Sequence, residues 1–168
     1  MKWNKLLFLA LFLQIIGCKT VKYGLSGINI PPNIKTVSIA LFDNKATLVN
    51  PLLSQVITEK LKDKFIRQTS LKLITADGDW QFKGNIVLYS VEPVNRQTVQ
   101  GGTSNRLKID LAVNFINVLD EKENFEKTFS RFADFEASKN FASIESGLID
   151  EITNQLVTDV FNETALKW

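Results

Sequence analysis

Histidine is absent from this sequence of 168 residues, and cysteine occurs only once, at position 18. Histidine is the commonest general acid or base and the commonest metal ligand. Its absence excludes Ser-His-Asp, Cys-His and zinc-histidine chemistry, and a single cysteine excludes a disulfide within one chain. Carboxylate-only hydrolysis stays formally open, but the acidic residues fall mostly in turns or on the polar faces of predicted helices. We therefore expect a protein that is not an enzyme and that holds neither a metal nor a cofactor.

The first seventeen residues have the composition of a secretory leader. Lys2 and Lys5 precede an apolar stretch at 6–16 that contains no acidic residue. The quartet Ile15-Ile16-Gly17-Cys18 at its end resembles a bacterial lipobox. We therefore predict a signal peptide at 1–17, with Cys18 as the acylated N-terminus after cleavage, carrying fatty acids such as palmitate. The alternatives are a secreted protein with an unexplained thiol and a transmembrane helix, which needs roughly 20 apolar residues.

The remaining 151 residues fit one domain. The leader contains two of the twenty basic residues, so eighteen basic residues are left against eighteen acidic ones. Nucleic-acid-binding proteins usually have a strong basic excess, and we expect no nucleic-acid partner here.

Hydrophobic periodicity and turn residues predict the order of the elements. A Gly- and Pro-containing tether occupies 18–35, and a short strand start is possible at 71–74. Asn50 and Pro51 signal a helix start, Pro93 is expected to end a strand, and Ser143 is a plausible helix cap. The predicted elements are a strand at 36–42, a helix at 50–67, strands at 80–91, 107–115 and 125–135, and a helix at 142–162.

Each predicted helix has one apolar stripe, so both helices can cover the same face of one sheet. We predict an α+β fold, a two-layer sandwich with one mixed four-stranded sheet and two helices packed on one face, in the order β-α-β-β-β-α. The first strand–helix–strand unit should place its strands in parallel. The other face of the sheet would be left uncovered, which makes it a candidate interface.

Phe129, Phe132 and Phe135 do not alternate cleanly in the last predicted strand. A β-bulge that keeps them in the core, the interpretation we favour, would explain this spacing. The alternative is that an aromatic side chain lies on the outer face of the sheet and contacts a partner.

Several segments together resemble the LptE family of lipopolysaccharide-assembly lipoproteins, and most closely its Bacteroidetes-type members. The resemblance rests on the lipobox, the closing amphipathic helix and three quoted segments: IPPNIKTVSIALFDNKATLVNPLLSQVITEKLKDKF (30–65), LKIDLAVNF and FSRFADF. It covers essentially the whole chain after the leader and includes no catalytic signature. The domain organisation that it implies is a signal peptide at 1–17, a lipidated N-terminus and tether at 18–35, and a single LptE-like domain at 36–168.

The resemblance also implies a function. LptE proteins are lipid-anchored in the outer membrane of diderm bacteria, plug the large LptD β-barrel, assist its assembly and contact lipopolysaccharide. We accordingly expect a periplasm-facing plug and assembly partner of an LptD-like barrel within the lipopolysaccharide transport complex, held inside the barrel lumen. The alternative is an outer-membrane lipoprotein that binds another envelope protein or lipid.

Anionic lipid headgroups favour Arg and Lys on an exposed loop or strand face. Arg96, Arg106 and Lys108 cluster around the long predicted hairpin and are our candidates for contact with lipopolysaccharide. The alternative is that these are solvated charges beside a loop. The same choice applies to Lys60, Lys62 and Lys64 on the first predicted helix, where a solvated face is the preferred interpretation.

Overall fold

The computed structural model describes residues 27–48, 50–94 and 103–166. The predicted signal peptide, Cys18 and Arg96 lie outside the described residues. The described residues form an α+β arrangement with one helix between the second and third strands and another after the last strand, and a short 3-10 turn at Glu121–Glu123 precedes that last strand. The elements in chain order are β1 (Thr36–Ile39), β2 (Asp43–Asn44), α1 (Leu53–Gln68), β3 (Lys72–Ile74), β4 (Trp80–Val94), β5 (Ser104–Asn117), β6 (Phe125–Glu136) and α2 (Phe141–Ala165).

The strands form one mixed sheet in the order β3-β1-β4-β5-β6, with β2 also paired to β4. β1 pairs in parallel with both β3 and β4, as predicted, and β4, β5 and β6 pair antiparallel. The predicted fold class is confirmed, but the described residues contribute six strands to the sheet rather than four. The additional strands are β3, which pairs in parallel with β1, and β2, which lies beyond the end of the first predicted strand and pairs with β4.

The break between β1 and β2 turns Phe42 into the core. Its side chain is fully buried, and its backbone N–H donates to Thr58 Oγ1 on α1 over 3.0 Å. The ring crosses β4 at Gly84, where an added Cβ would lie 2.6 Å from the ring and 2.1 Å from the Ala112 carbonyl oxygen. Glycine is therefore required at position 84 because Phe42 and the neighbouring strand leave no room for a side chain.

Both helices pack on the same face of the sheet. The Phe65 ring of α1 lies 4.9 Å from Phe82 on β4 and 5.1 Å from Phe161 on α2, measured between ring centroids. The same cluster includes Trp80 and Phe115, whose centroids are 5.5 Å apart. Tilted and edge-on ring pairs of this kind are favourable beyond the apolar area that they bury.

A β-bulge lies in β4, between Ile86 and Leu88. Before it, even-numbered residues face the helices, and after it odd-numbered residues such as Tyr89 do so, because one extra residue reverses the alternation. The bulge that we favoured for the last strand is wrong, since the β5–β6 register is continuous. Phe132 consequently points to the uncovered face, where it is 46% exposed.

The helix boundaries differ in detail from those predicted. α1 begins at Leu53, after a turn in which the Asn50 Oδ1 accepts from the Leu52 N–H over 3.0 Å. α2 is capped by Asn140, whose Oδ1 accepts from the Ala142 N–H, so the predicted cap at Ser143 is wrong. In the described part of the chain, neither helix has the length and apolar character needed to span a membrane.

Candidate functional site

The uncovered face of the sheet carries the predicted site residues that the structure describes. Arg106 and Lys108 both project from β5 on the side opposite to Leu107 and Ile109, which are fully buried under the helices. We call this surface the open face, because no described helix packs on it. Arg106 and Lys108 lie towards its end at the β4–β5 connection, where they pair with Glu92 and Ser90.

Arg106 is held by neighbours on both sides. It forms two hydrogen bonds with the Asp134 carboxylate of β6, at 2.6 and 2.9 Å, and its guanidinium lies 3.5 Å from the centre of the Phe132 ring. Glu92 of β4 is its register partner on the other side. The Asp134 hydrogen bonds, with help from the charge of Glu92, raise the pKa of Arg106 above its usual range.

Lys108 lies one step further along the open face. Its Nζ is 3.3 Å from Asp110 Oδ2, while the other oxygen of that carboxylate is buried without a hydrogen-bond partner. The hydroxyl of Ser90, which sits directly opposite Lys108 on β4, also lacks a partner. Unsatisfied buried polar atoms are rare in folded proteins, and two of them lie close together here.

Among the described residues, the charges at this end of the open face do not form a free basic patch. Arg106 and Lys108 are balanced by three carboxylates, those of Glu92, Asp110 and Asp134. An anionic ligand would have to compete with these carboxylates for the two cations. The sequence alone could not reveal this, since the pairs join different strands or depend on which face each residue occupies.

The cations on the helix side have structural partners. Arg131 and Lys127 on β6 bind Asp159 and Glu163 on α2. The Nζ of Lys60 lies 2.6 Å from Asp150 Oδ1 and also donates to three oxygens of α2. That hydrogen bond lowers the pKa of the Asp150 carboxyl. Lys60 therefore joins the two helices instead of presenting a solvated charge.

A small cleft lies between the N-terminal ends of the two helices, with a volume of about 310 Å³ and mainly apolar walls such as Leu53 and Ile149. At the cleft, the Glu145 Oε1 accepts from the Tyr89 hydroxyl over 2.5 Å and from the Asn50 amide over 2.9 Å. Burial, together with the Glu145 hydrogen bond, raises the pKa of Tyr89. The polar groups here satisfy one another, and this cluster of residues was not found from the sequence.

The described residues contain no group of three or more acidic or thiol side chains arranged to hold a metal ion.

The fold is an α+β sandwich with one open sheet face, and comparison with models of protein families shows the family to which the chain belongs. The model of the LptE family, described as lipopolysaccharide-assembly, matches residues 34–164. The chain belongs to the LptE family, as the resemblance of its segments predicted.

Solved structures share the fold at low sequence identity. A minor lipoprotein from Acinetobacter baumannii superposes with a TM-score of 0.53 at 12% identity, covering 77% of this chain and 91% of that one. A hypothetical protein from Chlamydia trachomatis superposes with a TM-score of 0.52 at 8% identity, covering 80% and 99%. Comparison with curated protein sequences gives no match.

Proposed function

We propose that this protein is a lipid-anchored outer-membrane component of the lipopolysaccharide assembly machinery, acting as plug and assembly partner of an LptD-like β-barrel. Membership of the LptE family over residues 34–164 is the observation that carries the proposal. The protein has no catalytic turnover of its own in this proposal. Its tasks are to bind the barrel and to contact lipopolysaccharide.

The anchor is proposed at Cys18, the only cysteine of the chain. Gly27, nine positions later, is the first described residue, and close to it the Asn29 N–H donates to the Ala165 carbonyl at the end of α2 over 2.9 Å. The tether would thus join the domain beside the C-terminal end of α2. Firm membrane attachment needs more than one acyl chain, so the proposal includes multiple acylation of Cys18.

The surface chemistry suits a wet environment such as a barrel lumen, which is polar. Charged side chains on the helix side and on the open face are joined in ion pairs, including Lys127 with Glu163 and Arg106 with Asp134. We place the lipopolysaccharide contact at the hairpin end of the open face, at Arg106, Lys108 and Arg96.

Co-purification tests the larger proposal. The tagged full-length chain, extracted from outer membranes in mild detergent, is expected to bring down a large β-barrel protein in stoichiometric amount.

A Cys18→Ser variant should lose membrane fractionation and the mass of the acyl chains. Recovery of a different envelope protein in place of a barrel would favour the alternative function, and an unchanged mass for the Cys18→Ser variant would refute the anchor.

A matched pair of variants tests the lipopolysaccharide contact. Arg106→Gln should weaken binding of purified lipopolysaccharide, whereas Asp134→Asn should strengthen it, because the competing carboxylate loses its charge. Charge-assisted bonds to phosphate are worth roughly 1.5–3 kcal/mol when made, and salt should reduce the effect. Equal affinity of both variants and the parent, with circular dichroism unchanged, would remove Arg106 from the site.

A further inference from the structure

The outer edge of β6 has the properties of a template for another strand. β6 runs for twelve residues, from Phe125 to Glu136, and among the described strands only β5 pairs with it. It contains neither proline nor a register shift against β5. Native proteins usually shorten, bulge or cover an edge strand of this length, because its free backbone groups invite pairing.

The ladder register identifies which backbone groups point outwards. The Ala137 N–H donates to the directly opposed Thr103 carbonyl over 3.1 Å. Bonded pairs alternate along an antiparallel ladder, so odd-numbered residues of β6 bond to β5, and even-numbered residues point their N–H and C=O groups away from it. Within the described residues, Thr128, Ser130 and Phe132 have no backbone hydrogen bond on that side.

The side chains along this edge disfavour a second copy of the same chain. In an antiparallel β6–β6 pair centred on Arg131, Glu126 would face Glu136 and Arg131 would face its own copy. Centring the pair on Ser130 would place Glu126 opposite Asp134. Like charges directly opposed across strands are destabilising, so the acidic ends of β6 work against self-pairing.

We infer that β6 is a docking edge for an extended segment of a partner protein, which adds to the sheet as a further strand. The partner segment carries basic side chains opposite Glu126 and Glu136, with apolar or hydroxyl-bearing residues opposite Thr128, Ser130 and Phe132. Such strand addition takes its affinity from backbone hydrogen bonds and its specificity from alternate side chains. The wall of a closed barrel has no free edge, so within a barrel complex this segment would be a loop or a chain terminus.

Proline and alanine at position 130 separate backbone pairing from side-chain contact. Ser130→Pro removes an outward N–H without removing a hydrogen bond to β5, whereas Ser130→Ala keeps that N–H. In membranes that contain the full-length chain, Ser130→Pro should lower recovery of the partner about tenfold, the effect of losing about 1.4 kcal/mol, and Ser130→Ala should not. Equal recovery with both variants would overturn the inference.

A charge variant covers the case in which Ser130→Pro fails to fold. Glu126→Lys combined with Glu136→Lys changes exposed side chains at the two ends of β6 and should also reduce recovery of the partner. Unchanged recovery with this double variant would contradict the charge pattern that we assign to the segment.

Photo-crosslinking identifies the occupant. A benzoylphenylalanine in place of Ser130, with a control in place of the exposed Glu151 on α2, should link an extended partner segment with basic residues at its ends, and only from position 130. A link to a second copy, to residues 1–26 of the same chain or to lipid alone would overturn the inference, as would no link at all. If a barrel co-purifies but does not link at position 130, the proposed function holds and the docking edge is refuted. If a partner that is not a barrel links at position 130, the docking edge holds and the proposed function is refuted.

Discussion

The two faces of β5 are stabilised by different interactions. Towards the helices, the fully buried side chains are Leu107, Ile109, Leu111 and Val113. Their contribution to stability depends on close packing and on the exclusion of water. On the open face, Arg106 and Lys108 are held by carboxylates and by an aromatic ring. The buried face therefore contributes hydrophobic stabilisation, while the side chains of the open face are held by charge.

The largest expected effect comes from truncating the helix side. Leu61 and Leu156 are fully buried, one on each helix. Leu61→Ala or Leu156→Ala should lower the free energy of unfolding by about 2–5 kcal/mol, measured by urea denaturation. Leu52→Ala, at a position that is 66% exposed, is the matched control and should change it by less than about 0.5 kcal/mol. Small losses at both buried sites would mean that the helices do not form the core.

Two glycines should respond in opposite directions. Gly84→Ala would place a Cβ 2.6 Å from the Phe42 ring and should destabilise the domain by about 1–3 kcal/mol. Gly147 lies inside α2 with no heavy atom within 4 Å of an added Cβ. Gly147→Ala should therefore raise stability by up to about 1 kcal/mol. Thermal unfolding compares them, and a stabilising Gly84→Ala would contradict the packing of Phe42 across β4.

Asp79 makes a smaller contribution that depends on pH. Its Oδ2 accepts from the Lys35 and Thr36 N–H groups at 2.8 and 2.9 Å, and these bonds, led by that from Lys35, lower the pKa of the carboxyl. A lowered pKa stabilises the fold above the unfolded value of about 3.9, and this stabilisation is lost as the pH falls through the folded value.

The variant Asp79→Asn should therefore cost about 1 kcal/mol at neutral pH and nothing once the carboxyl is protonated. Denaturation at pH 7 and at low pH checks this. A difference between parent and variant that grows as the pH falls would contradict the assignment.

The open face should give the smallest change in stability. The Arg106–Asp134 pair is exposed to solvent, and exposed ion pairs add little to folding. Arg106→Gln should leave the midpoint of thermal unfolding close to that of the parent. Its change in midpoint should be smaller than those of the variants described above. A large loss of stability would mean that the pair is structural, and its use in lipopolysaccharide binding would then need a separate demonstration.

The helix side of the sheet could be predicted because the residues of a strand with one buried face alternate between apolar and polar with a period of two. Leu107, Ile109, Leu111, Val113 and Phe115 are buried, and they alternate with Lys108, Asp110, Ala112 and Asn114. The sequence pattern also contains a sign of the bulge in β4. Its apolar residues shift from even positions at Trp80 and Phe82 to an odd position at Tyr89. Without the register against β5, the shift alone does not identify a bulge.

The pairs on the open face could not be predicted. Arg106 meets Asp134 only because β5 and β6 are aligned in one particular register, and an ion pair across 28 positions leaves no local pattern. Arg106 and Lys108 were chosen for their charge, but the carboxylates that compensate them become visible only in the folded chain. Phe132 was ambiguous for the same reason, since its face follows from the continuous β5–β6 register.

The hydrogen bond from Asn29 to Ala165 also limits how far the domain can travel from its anchor. If Cys18 is held at the membrane, the nine steps to Gly27 extend at most about 30 Å. β5 alone, at fourteen residues, is about 45 Å long, and α2 runs from the hairpin end, where Phe141 contacts Phe135, to the opposite end at Ala165. In that case the segment between Cys18 and Gly27 is shorter than the domain is long. With the long axis of the domain perpendicular to the membrane, the hairpin end would lie too far from the anchoring leaflet to touch it. That end would then face molecules that approach from the side opposite to this leaflet.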